Sequence, residues 1–163
     1  MPVKRSGAGP TPEARVRTII ARLAPKTRTL FRSVRRGVQK RFPTANELVY
    51  DYGKSVVIAY SPTENGIEGI LALSAKADGV FLYFSQGPKL ADPKGLLQGK
   101  AKMVRFVQLE RASDLSGPDV KGFIAATLAQ AKLPFPRTGK GRLILKKGGT
   151  KKPAKRPTPK GTA

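Results

Sequence analysis

No cysteine occurs among the 163 residues. That excludes disulfides, thiolate metal sites and thiol nucleophiles together, and it fits a reducing compartment. Histidine is absent too, so the side chain most used for proton transfer near neutral pH is missing. Without either residue a structural or catalytic zinc is not expected. No apolar run approaches the roughly 20 residues that span a bilayer. Lys4 and Arg5 are followed by no apolar stretch, so a secretory signal is not expected. An Arg-rich, acid-poor start also fits an organelle transit peptide, but the simpler expectation is a cytoplasmic protein without a membrane span.

Acids are scarce, and the scarcity is local. The net charge is +22. Residues 1–43 carry +11 with one acid, Glu13; residues 44–131 are neutral; residues 132–163 carry +11 with no acid at all. A neutral middle between two basic blocks favours polyanionic partners, DNA or RNA first and anionic lipid second.

Residues 1–12, with Gly7, Gly9, Pro10 and Pro12, read as a disordered leader. From Glu13 the apolar residues Val16, Ile19, Ile20 and Leu23 recur at helical spacing. Pro25 starts a second helix or kinks the first. In the segment that follows, Leu30, Phe31, Val34 and Val38 share one face, while Arg28, Arg32, Arg35, Arg36 and Lys40 fall largely on the other.

Strand signals come next, at 48–52, 55–60, 69–75, 80–85 and 103–109, with Gly53–Lys54 and Ala77–Asp78–Gly79 as turns. Ser116–Gly117–Pro118–Asp119 opens a last helix bearing Val120, Phe123, Ile124, Thr127 and Leu128. Leu143–Ile144–Leu145 offers a short further strand, and from Gly148 Lys, Pro, Thr and Gly dominate. The expected fold is α+β: N-terminal helices, a mostly antiparallel sheet of five to six strands, a C-terminal helix and a disordered basic tail. Residues 13–146 form its single domain and 147–163 its tail.

The run from Gly79 to Lys100, GVFLYFSQGPKLADPKGLLQGK, resembles the small bacterial YdhG-like domain of unknown function. So do Val49-Tyr-Asp51, Met103-Val-Arg-Phe106, Asp114-Leu-Ser-Gly-Pro118 and Gly141-Arg-Leu-Ile-Leu145. The likeness covers roughly residues 43–146. It implies an α+β fold with an antiparallel sheet and says little about activity. Some relatives are described as frataxin-like iron chaperones, which lean on carboxylate surfaces; here the ten acids are scattered.

Two candidate sites follow from the residues. In the first, Gly87, Gly95 and Gly99 let backbone approach an anion, with Lys89, Lys94, Lys100, Lys102 and Arg105 supplying charge. Asp92 and Asp51 are the internal partners for Arg105. The bland alternative is a strand connector whose Gly and Pro only set turn geometry; no Walker spacing is present. In the second, nucleic acid lies along Arg28, Arg32, Arg35, Arg36 and Lys40 and along the tail residues Lys146, Lys147, Lys151, Lys152, Lys155 and Arg156. Phe81, Tyr83 and Phe84 read as core rather than as base-stacking residues, since no RNP-type pattern appears. No paired-carboxylate spacing suggests catalysis, and no cofactor or metal is expected. The function expected is non-catalytic binding of nucleic acid or another polyanion. The alternative is a small-ligand or iron-chaperone-like module whose basic flanks serve solubility.

Overall fold

The computed structural model describes residues 10–146, and near the start of that span stands Thr11. Its hydroxyl accepts from the amide of Ala14 at 3.1 Å and caps α1, Pro12–Ala21. The helix thus starts inside the expected leader. Pro25 does begin a new helix, α2, Pro25–Arg41, because its fixed φ and missing N–H suit a first helical turn. Six strands follow, with one more helix among them: β1 Asn46–Asp51, β2 Val56–Ser61, β3 Leu71–Lys76, β4 Gly79–Ser85, β5 Val104–Leu109, α3 Pro118–Gln130 and β6 Leu143–Lys146. The expected disordered tail, 147–163, lies outside the described residues.

The sheet runs β5-β4-β3-β2-β1-β6. Four neighbouring pairs are antiparallel, and β6 joins β1 in parallel. The fold is α+β. Gly53 has φ 81° in the β1–β2 turn, a conformation that a side chain disfavours.

Register decides which side chains share a face. Val49, Ile58, Leu73, Leu82 and Val107 pair in sequence across the sheet. They are buried with Val16 and Ile20 of α1, Phe31, Val34 and Val38 of α2, and Phe123 and Ile124 of α3. All three helices therefore cover this one face. The residues between, among them Tyr50, Val57, Ala72, Tyr83 and Phe106, fall on the opposite face. Phe84 and Phe81 are buried as expected, although Phe81 shares that opposite face with Tyr83, which is only half-buried.

Candidate polyanion interface

The basic face of α2 splits when its residues are placed. Arg32, Arg36 and Lys40 are exposed. They follow one another at four-residue steps, about 6 Å apart along the axis. Arg28 heads the same row, half-buried, with Nη1 donating to the Ala21 carbonyl at 3.2 Å. None of these four forms an ion pair among the described residues. No Asp or Glu occurs between Glu13 and Glu47, so α2 lacks the i,i+4 partners that usually neutralise a solvated helix.

Arg35 does not belong with them. It is 7% exposed, and its place is explained by spacing: it follows Phe31 by four residues, on the apolar side of the helix. Nε donates to Glu47 Oε2 at 3.0 Å and Nη2 to Glu47 Oε1 at 2.9 Å. Nη1 and Nη2 each reach Glu13 at 3.1 Å. Burial pulls against the guanidinium charge, but the hydrogen bonds and charges of Glu47 and Glu13 outweigh it and raise the pKa. Glu47 is 6% exposed and also accepts from Gln39 Nε2 and the Tyr60 hydroxyl, both at 3.0 Å. Burial, then the charge and hydrogen bond of Glu47, push the Tyr60 phenol well above its ordinary value of 10, with Arg35 opposing. This buried cluster was not read from the sequence. Its signal was a carboxylate beside Leu48 and Val49 in a strand, and an arginine four residues after a core phenylalanine.

Lys146, half-buried at the end of β6, pairs in register with Tyr50 on the face opposite the helices. Lys147, Lys151, Lys152, Lys155 and Arg156 lie outside the described residues.

The residues of the Gly87–Arg105 region do not come together around one space. Asp51 is on β1 and Arg105 on β5, with three strands between them, so they cannot pair. Asp51 takes Arg22 and the Gly53 amide instead. Arg105 is half-buried, and its Nη1 donates to the carbonyls of Ala101 and, at 2.9 Å, of Val104. Its charge is met by backbone oxygen, not by a carboxylate. Asp92 accepts from the amides of Leu96 and Leu97 at 2.8 and 2.9 Å, which folds the loop on itself.

Two of the three glycines are explained by packing. A Cβ on Gly87 would stand 2.4 Å from the Arg105 amide nitrogen, and one on Gly99 would stand 3.1 Å from the Phe106 ring. Only Gly95 faces open space. Asp92 and Lys94 do line a cavity of about 240 Å³ with Asp119, and Lys94 pairs with Asp119 at 3.4 Å. That cavity holds two carboxylates to one ammonium. Lys89, Lys100 and Lys102 are exposed and do not line it.

A cavity of about 620 Å³ lies over the Arg35 cluster, bounded by Glu13, Gln39, Glu47, Tyr60, Lys140 and Arg142. Arg142 pairs with Glu64. Among the described residues no three Asp or Glu side chains meet in a way that could hold a metal ion. Nor is any described helix long and apolar enough to cross a membrane. No family model, no curated protein and no solved structure matches this chain.

Proposed function

We propose that this chain is a non-catalytic, cytoplasmic binding protein that takes nucleic acid or a similar polyanion on the exposed side of α2. One observation carries this reading: Arg28, Arg32, Arg36 and Lys40 form a row about 18 Å long with no carboxylate paired to it among the described residues. Such a row is favourable where counterions on a phosphate backbone can be released. The core is read as a YdhG-like domain on the motifs given above, which adds a fold expectation and no activity. The small-ligand alternative has the 620 Å³ cavity on its side. There Glu47 already accepts four hydrogen bonds, so little of its chemistry is free for a ligand.

The test is fluorescence anisotropy with labelled duplex DNA, single-stranded DNA and RNA on the full chain. Replacing Arg32, Arg36 and Lys40 together by Gln is expected to weaken all three, on the order of tenfold or more at low salt, because phosphate contacts are indifferent to sequence. A folded triple variant that binds all three as the parent does would remove α2 from the proposal.

A further inference from the structure

The sheet face opposite the helices carries a second set of residues that the α2 row does not use. In one register row Leu48, Ala59, Ala72, Tyr83 and Phe106 lie side by side; in the next come Tyr50, Val57, Ser74, Phe81 and Gln108. The rings gather at the β4–β5 end. Phe106 stands 5.0 Å from Tyr83 and 5.7 Å, edge-on, from Phe81. Toward β1 the face is closed, with Leu48, Ala59 and Ser74 each under a tenth exposed, so its accessible part is the aromatic end.

Cations flank that cluster. Lys76 places Nζ 4.9 Å from the Phe81 ring centroid. On the other flank Gly99 adopts φ 108° and presses against Phe106, and the exposed Lys100 and Lys102 follow directly. Phe81 is buried beneath its neighbours, whereas Tyr83 and Phe106 remain partly open. This arrangement gives the glycine at position 99 a reason: any side chain there would displace the ring that the loop abuts.

We propose that this face is a stacking platform for unpaired bases of single-stranded nucleic acid. Tyr83 and Phe106 meet the bases, and Lys76, Lys100 and Lys102 meet the phosphates. Aromatic rings beside a basic track are what a sequence-tolerant single-strand site requires. A duplex keeps its bases stacked inside and has nothing to offer the rings. A second copy of this chain is the other apolar occupant for such a face, but two copies each carrying +22 repel. The platform depends on the preceding proposal only for the class of partner. It lies across the sheet from α2 and can be tested apart from it.

The experiment uses the full chain with a labelled oligo(dT) and a labelled duplex, each about 20 nucleotides long, enough to exceed a single-strand site of ~4–16 nucleotides. Tyr83→Leu and Phe106→Leu keep apolar volume and remove the ring. Each is expected to weaken oligo(dT) by about 5- to 150-fold, the loss of one base stack, while duplex affinity stays within about threefold. Lys100→Gln with Lys102→Gln, at exposed positions that leave the fold undisturbed, is expected to weaken oligo(dT) more than duplex. The chain has no tryptophan, so oligo(dT) should also quench its tyrosine emission, and do so less in Tyr83→Leu.

Folded leucine variants that bind oligo(dT) as the parent does overturn the platform. So does a doubling of mass without nucleic acid that Phe106→Leu abolishes, which would make the face a self-association surface. If the α2 triple variant loses both probes while the leucine variants lose neither, α2 stands and the platform falls. The reverse pattern keeps the platform and removes α2. A parent chain that binds neither probe ends both.

Discussion

Arg35, Glu47 and Tyr60 show how much one position can depend on its neighbours. Arg35 and Glu47 are each under a tenth exposed, and removing one partner of a buried pair strands the other in a medium that solvates it poorly. Glu47→Ala is therefore expected to destabilise the fold by about 3–5 kcal/mol, measured by urea denaturation. A loss under about 1 kcal/mol, the value of an exposed pair, would show that the cluster is solvated.

Tyr60 adds a pH signature. The folded phenol holds its proton beyond the ordinary value of 10, so the unfolded chain releases it first. Its contribution is complete below about pH 10 and declines as the pH rises further. Tyr60→Phe loses a hydrogen bond to a charged partner, about 1.5–3 kcal/mol near neutrality. Its deficit against the parent should narrow above about pH 10. A gap that stays constant to about pH 11 would contradict the raised phenol.

Among the elements, strand existence was legible and strand orientation was not. The runs 48–52, 55–60, 80–85 and 103–109 read as strands because β-branched and aromatic residues lie between glycine-containing turns. In β4, however, Val80, Phe81, Leu82, Tyr83 and Phe84 are all apolar. No alternation tells the helix side from the opposite side, and only the packing of α2 and α3 decides it. In α2 the pattern misplaced Arg35 because a charged residue was assumed to face outward, whereas its four-residue step from Phe31 set its position.

Glycines separate the elements further. Gly122 lies exposed in the middle of α3, where an added Cβ would meet nothing within 4 Å. Gly122→Ala is expected to stabilise by about 0.5–1 kcal/mol, read as a higher Tm. Gly141 precedes β6, and there a Cβ would fall 1.8 Å from the Ala45 carbonyl oxygen. Gly141→Ala should destabilise and raise hydrogen exchange at the Glu47 amide, which donates to the Arg142 carbonyl at 2.8 Å. Equal effects of the two substitutions would mean that β6 does not dock as described.

At the scale of the whole molecule, the blocks of +11, zero and +11 are not structural boundaries. The first block includes α1 and α2, which supply Val16, Ile20, Phe31, Val34 and Val38 to the common core. Cutting the chain at residue 43 would strip the sheet of much of its cover, so the basic surface has to be tested in place. Charge along the sequence pointed to a polyanion; it did not reveal that one of the arginines, Arg35, is spent inside. A salt titration separates these roles. For duplex DNA the logarithm of affinity should fall by about 0.9 per phosphate neutralised for each unit in log salt. Replacing Arg32, Arg36 and Lys40 by Gln should make that slope shallower by up to about 2.7, if each meets one phosphate. Lys94→Gln, whose ammonium already pairs with Asp119, should leave it unchanged. If the Lys94 variant flattens the slope as much as the triple variant does, the field of the whole chain drives binding, and the row on α2 has no special part in it.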